Sequence, residues 1–210
     1  MTPAEKPRTG RDILLHLIPA IAALLLFVWL ADEVRHGATQ HIDDRIRMLV
    51  HTWASPALTA AMRGFSLVGT PAVLITLGVV LIMLLAPTER ARTLVRFAIT
   101  IAGAEALDQI LKLGFHRTRP ATFFGVREPM GYSFPSGHAL VSLVFFGALA
   151  MLAARTGSRT WRWSCYVAAA VMIGAIGMSR IYLGMHYPSD VLGGYAAGTV
   201  WLATVTLARR

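Results

Sequence analysis

The chain has 210 residues, of which 55% are hydrophobic and only 15% charged, and its mean hydropathy is +0.57. That is about one domain's length but far too apolar for an ordinary soluble domain. Its formal charge of +9 comes from 20 Lys and Arg against 11 Asp and Glu, and because these basic residues flank apolar runs instead of forming a soluble, aromatic-interleaved patch, nucleic acid is excluded in favour of membrane topology.

Six apolar runs follow one another at residues 13–30, 65–86, 97–113, 139–154, 163–179 and 191–208. They predict an all-α integral membrane protein, a single domain over 1–210 built as a bundle of six transmembrane helices. Several runs are only 16 to 18 residues long. That is near the lower limit for a bilayer core of about 30 Å, so their ends borrow flanking residues such as Trp161 and Tyr187.

The first run follows a basic start, as a signal peptide also would. Its apolar stretch is longer than a typical signal core and no small-x-small cleavage site follows in WLADEVRHG, so it is expected to stay as a helix. Pro19 within it is tolerated because neighbouring helices satisfy the freed carbonyl. Between the first two runs, Ile42, Ile46, Leu49 and Trp53 recur at helical spacing, while Asp43, Asp44, Arg45 and Arg47 occupy other faces. This is the pattern of a helix lying at the bilayer surface, there for packing or to guide a lipid.

The third run carries Glu105, Asp108 and Lys112 near one helix face. Ionisable groups inside a span face a bundle interior or a polar cavity. Asp108, four residues before Lys112, is placed to orient that lysine or to tie two helices together; neither acid is read as catalytic. After Lys112, the connection KLGFHRTRPATFFGVREPMGYSFPSGH holds three prolines and four glycines, which rules out a continuous helix. Its Phe123, Phe124, Met130, Tyr132 and Phe134 either line an apolar entry for a lipid tail or pack the loop.

The stretch FPSGHAL reads as a helix start. Pro135 fits the first turn, Ser136 is a preferred cap and Gly137 lets backbone approach a ligand. The free N–H groups and the helix dipole then make an anion site with His138 beside it. The fifth run ends in SRIYLGMHYPSD, where Arg180 closes one helix, Pro188 opens the next and Asp190 lies in its first turn. Asp190 is thus placed to hold one imidazole nitrogen of His186 while the other points at a substrate. Lys112, Arg119, Arg180, two histidines, a carboxylate and two helix N-termini fall on one membrane face, and phosphate is the oxyanion that fits them best.

With six spans the termini share a side with Lys6, Arg8, Arg11, Arg90, Arg92, Arg96, Arg155, Arg159, Arg162, Arg209 and Arg210, which is 11 of the 20 basic residues. Setting aside Lys112, Arg119 and Arg180 as held by chemistry leaves six on the other side. The positive-inside rule then puts the termini in the cytoplasm and the polar face outside. Cys165 is the single cysteine, so no intrachain disulfide reports on the compartment.

KLGFHRTRP, PSGH and SRIYLGMHYPSD match, in order and internal spacing, the three signature motifs of the type 2 phosphatidic acid phosphatase superfamily. The chain resembles the bacterial membrane lipid phosphatases of that superfamily, with motifs inside residues 112–190 and the first third matched by layout alone. The resemblance implies that His186 is a nucleophile forming a phosphohistidine, that Asp190 orients it and that His138 is the general acid. It also implies that Lys112, Arg119, Arg180, Ser136 and the backbone N–H of Gly137 hold the phosphoryl oxygens, with no metal ion or other cofactor. His116 and Arg117 fall between motif positions and are read as interface or substrate-edge contacts.

The implied partners are the bilayer and a lipid phosphate, and the motifs read the phosphate and not the tail. The substrate is accordingly an isoprenyl diphosphate such as undecaprenyl diphosphate, a glycerolipid phosphate (phosphatidylglycerophosphate or phosphatidate), or a lipid A phosphate. A non-catalytic protein that binds or moves lipid phosphates would not need both His138 and His186. A haloperoxidase would need vanadate and usually a soluble chain, against which six apolar runs argue.

Overall fold

In the computed structural model of the protein, residues 10–87, 91–127, 130–155 and 157–208 are described, with side chains from Leu17 onward. Every regular element among them is helical: α1 (Gly10–Arg35), α2 (Gln40–His51), α3 (Pro56–Val68), α4 (Pro71–Leu85), α5 (Ala91–Phe115), α6 (Gly137–Ala153), α7 (Arg159–Tyr182) and α8 (Pro188–Leu207). Five of the six expected runs become single helices. The second, 65–86, does not: α3 and α4 meet at a 60° bend. Pro71 has no N–H for a helical bond and disfavours α backbone in the residue before it. Thr70 is therefore extended (φ −70°, ψ 144°) and caps α4 by accepting the Val73 N–H at 3.4 Å.

By length and composition, two described stretches can cross a bilayer, Leu17–Arg35 and Arg159–Tyr182, with a third if α3 and α4 form one bent span. The other long helices fall short of that criterion for reasons tied to the site. Helix α5 carries Glu105, Asp108 and Lys112, α6 has 17 residues, and α8 is diluted by glycine, threonine and Asp190.

Helix α8 packs along α1 and α6, α6 also along α5 and α7, and α3 along α7. Small residues allow the closest approach: a Cβ on Gly194 of α8 would stand 2.5 Å from the Ser136 carbonyl oxygen. Leu74, Phe97, Ile101, Leu140, Val144 and Phe145 form the main apolar core. Burial is otherwise inverted relative to a soluble protein. Leu25, Val28 and Trp29 of α1, Met83 and Leu84 of α4 and Val171 of α7 are exposed, whereas Asp43, Asp108, Arg180, His186 and Asp190 are buried. Large apolar faces turned outward around a polar interior suit hydrocarbon as solvent.

Helix α2 forms as its periodicity predicts, with Ile42, Ile46 and Leu49 exposed and Trp53 exposed just beyond it. Its polar side turns into the protein, where Asp43 and Arg47 are buried. Because Lys112 lies near the end of α5, His138 at the start of α6, Arg180 at the end of α7 and Asp190 at the start of α8, the motifs gather at one end of the bundle. Arg92, Arg96, Arg155, Arg159 and Arg162 belong to the opposite helix ends. Lys6, Arg8, Arg90, Arg209 and Arg210 lie outside the described residues, as does the side chain of Arg11.

Candidate active site

Helix α8 begins with Pro188, and its dipole and free N–H groups draw the Asp190 carboxylate back over the turn. Asp190 Oδ2 accepts the Tyr187 N–H at 2.8 Å and the Ser133 hydroxyl at 2.5 Å, and lies 3.3 Å from His186 Nδ1. The other imidazole nitrogen, Nε2, is 3.0 Å from Arg119 Nη1. A guanidinium only donates, so Nε2 is the acceptor and the ring proton sits on Nδ1, facing the carboxylate. Burial pushes the His186 pKa down to about 4, against the opposing pull of its hydrogen bond to Asp190. The ring is thus neutral, with its lone pair on the side away from Asp190. That is the protonation state a nucleophilic imidazole needs.

Arg119 and Arg180 act on this ring, and Lys112 on that of His138. Arg119 is held by the carbonyls of Gly131 (Nε, 2.9 Å) and Met185 (Nη1, 3.2 Å). Lys112 Nζ donates to Asp108 Oδ2 at 2.6 Å, the ion pair expected from their spacing. Arg180 donates through Nη1 to the hydroxyl of Ser66 on α3. The charges of Arg180, Lys112 and Arg119 act on His138, and those of Arg180 and Arg119 act on His186.

Among the described residues, Ser136 Oγ, His138 Nε2, Arg180 Nε and, beside Gly137, Asp108 Oδ1 are buried here without a hydrogen-bond partner. Ser136 does precede α6, but its hydroxyl makes no cap bond, a departure from the expected capping serine. Gly137 is required by close packing, since a Cβ there would stand 2.6 Å from Asp108 Oδ2. Ser136 Oγ, His138 Nε2, the Nε edge of Arg180 and the start of α6 thus lie at the same end of the bundle as His186, an arrangement suited to a tetrahedral oxyanion.

The motif reading assigned Arg117 to the interface or the substrate edge. The structure instead buries it behind Asp190: Nη1 donates to Asp190 Oδ1 at 2.7 Å and Nη2 to Asp43 Oδ2 at 2.8 Å. Burial works to lower its pKa, but Asp190 and Asp43 outweigh that and hold it above the usual arginine range. Asp43 and Ser66 carried no motif signal, because each acts through a helix distant in sequence. In hindsight Asp43 had one clue, a carboxylate inside an amphipathic helix next to its apolar stripe.

The connecting loop is mainly packing. Phe134 is fully buried against Phe27 and Phe115, Phe123 stacks on His51, Phe124 stacks on Tyr182, and Tyr132 meets the ring of His116. Met130 alone of the five candidate entry residues is almost fully exposed, at 94%.

Comparison with known proteins gives a concordant picture. The PAP2 superfamily matches residues 93–210. The chain is 26% identical over 180 residues to phosphatidylglycerophosphatase B of Bacillus subtilis (strain 168), covering 85% of this chain and 88% of that protein. It is 30% identical over 118 residues to an undecaprenyl-diphosphatase of Sulfolobus acidocaldarius, covering 54% of this chain and 53% of that one. Among solved structures, the transmembrane PAP2-type phosphatidylglycerolphosphate phosphatase from Bacillus subtilis superposes with a TM-score of 0.84 at 25% identity, over 90% of this chain and 94% of that one.

Proposed function

The chain belongs to the PAP2 superfamily and is a membrane lipid phosphatase, and from this premise we propose that it cleaves its substrate through a phosphohistidine formed on His186. The observation that carries the mechanism is the neutral, buried imidazole with Nδ1 towards Asp190 and Nε2 towards Arg119. A bound phosphoryl group takes over the donors of Arg119, Arg180 and Lys112, together with Ser136 and the N–H of Gly137, which frees Nε2. That nitrogen attacks phosphorus while the bond to the leaving oxygen breaks, and His138 delivers a proton to that oxygen. Water then attacks the phosphohistidine, His138 takes its proton, and inorganic phosphate leaves with His186 restored. Three cations and a helix N-terminus stabilise the phosphoryl charge in the role a metal ion plays elsewhere, so the reaction is metal-independent.

In the membrane the chain is one domain over 1–210 crossing six times, with α3 and α4 as a single bent span. The termini lie in the cytoplasm and the site opens on the extracytoplasmic face. Outward apolar faces on α1, α4 and α7 and the basic residues at the opposite helix ends support this placement. Its substrates are an isoprenyl diphosphate or phosphatidylglycerophosphate, the classes named by the relatives; phosphatidate and lipid A phosphates carry the same reactive group.

The test is phosphate release by detergent-purified protein, with chelator present, from isoprenyl diphosphate, phosphatidylglycerophosphate, phosphatidate and lipid A. Release from at least one, undiminished by chelator, is expected. No release from any would turn the site into a lipid-phosphate binder, and a strict metal requirement would overturn the mechanism.

A further inference from the structure

Behind Asp190 lies a second, fully engaged charge cluster that the reaction as described does not use. Asp43 of α2 accepts the Ser189 N–H through Oδ1 at 2.9 Å, and through Oδ2 both the Ser189 hydroxyl at 2.6 Å and Arg117 Nη2 at 2.8 Å. Arg117 Nη1 reaches Ser189 Oγ and Asp190 Oδ1, each at 2.7 Å, and the guanidinium lies 4.1 Å from the centre of the Tyr187 ring. Side-chain exposures of 3% for Asp43, 9% for Arg117 and 0% for Asp190 leave the three charges weakly screened by solvent.

Charge balance gives this arrangement a purpose. When His186 Nε2 bonds to phosphorus while Nδ1 keeps its proton, the ring becomes cationic. Asp190 is the carboxylate in contact with it, but Arg117 already neutralises Asp190. The phosphoryl group's two negative charges are met by Arg119 and Arg180, with Lys112 already paired to Asp108, so with Asp190 neutralised by Arg117 the ring's new positive charge would be left over in a buried site, which is costly. Asp43 contributes the second negative charge, so that Asp43, Arg117 and Asp190 together carry −1 and match the cation that forms.

We propose that Asp43 and Arg117 are positioning residues for His186, a buried relay from helix α2 that fixes the Asp190 carboxylate and sets its net charge for the phosphohistidine step. The proposal rests on His186 being the nucleophile. It makes α2 part of the machinery: its outer face meets lipid through Ile42, Ile46 and Leu49, while its inner face holds the start of α8.

The test uses the full chain in detergent micelles containing substrate, with kcat and KM measured separately. D43N keeps the shape and removes the charge, and kcat is expected to fall roughly 100-fold with KM nearly unchanged, because Asp43 touches no substrate. The decisive variant is D43N/R117Q, which removes both charges and returns the net −1 to Asp190; its kcat should recover about tenfold over D43N. A merely structural role predicts the reverse, since the double variant loses more hydrogen bonds.

Wild-type kcat in D43N, or a double variant no faster than D43N, overturns the relay. Should D43N fail to fold, D43E and D43N/R117Q, both balanced in charge, become the readout: turnover by both supports the relay, and either one as inactive as His186→Ala overturns it. His186→Ala also separates the two levels. Turnover by that variant overturns the nucleophile itself, whereas an inactive His186→Ala beside an unimpaired D43N overturns only the role of Asp43.

Discussion

Helices α5–α8 and their loops supply every residue proposed to hold the phosphate, and α1–α4 supply none. Yet the first half touches the site from behind, through Asp43 and Gln40 of α2 on Arg117, Asp43 on Ser189, and Ser66 of α3 on Arg180. The difference separates two tasks. Groups that meet the substrate come from short segments at helix ends, where free N–H groups and loop backbone are available. Groups that hold those side chains still come from wherever a neighbouring helix happens to pass.

The largest expected effect tests the first task. His186→Ala should lower turnover at least about 10,000-fold, as loss of a covalent nucleophile does, while the protein still inserts in the membrane and purifies. Phosphate release within about tenfold of wild type, measured under identical conditions, would mean that the chemistry lies elsewhere and would dissolve the contrast between the halves.

Next in size is the seam between them. Phe134, in the motif loop, sits between Phe27 of α1 and Phe115 of α5, with ring centroids at 5.8 and 4.9 Å, and is fully buried. Phe134→Ala should destabilise the protein by about 3 to 5 kcal/mol, the usual loss for a buried phenylalanine. Denaturation in detergent measures it. A loss below about 1 kcal/mol would show that α1 is a loosely attached anchor, not part of the wall that holds the site.

The pH dependence of stability sharpens the comparison further. With the His186 pKa pushed down to about 4 by burial and an unfolded value near 6.5, the folded chain resists a proton that the unfolded chain accepts. Stability from this group is complete above about pH 6.5 and is lost as pH falls towards about 4, by about 3 kcal/mol in all. His186→Gln should therefore flatten the fall in denaturation midpoint across that window. Parallel wild-type and variant curves would contradict a neutral, buried imidazole.

How much of this was legible beforehand follows the same division. The three motifs point to His186, His138, Asp190 and the proposed oxyanion groups because helix-end chemistry is local: a proline, a small residue and a charged residue within one turn are visible in the chain itself. Apolar runs predicted helices, but α3 starts at Pro56, ahead of the run at 65, and the break at Gly69 and Thr70 was written in Pro71 yet masked by continuous hydrophobicity on both sides. Arg117 and Asp43 were not legible. Their pairing spans 74 positions, and in sequence each looks like one more charge near a membrane surface. The outward apolar face of α2 was seen, but only contact with α8 reveals that its inward carboxylate is a partner.

Ser66 offers the smallest and most discriminating check. Its hydroxyl accepts from Arg180 Nη1, while Arg180 Nε has no hydrogen-bond partner and stays available to an oxyanion. Removing the hydroxyl leaves a buried guanidinium with one fewer anchor, so Ser66→Ala should lower kcat/KM about tenfold, the equivalent of one hydrogen bond to a charged group. Ser66→Thr keeps the oxygen and should restore most of it. The control is Ser142→Ala in α6, inside the motif-bearing half and also buried, whose hydroxyl bonds back to the Ala139 carbonyl of its own helix at 3.3 Å; kcat/KM there should stay within about twofold of wild type. If Ser142 mattered more than Ser66, membership of the motif-bearing half would govern catalysis. The opposite ranking means that what a residue touches governs it, and that α3, with no motif of its own, helps to aim the phosphate clamp.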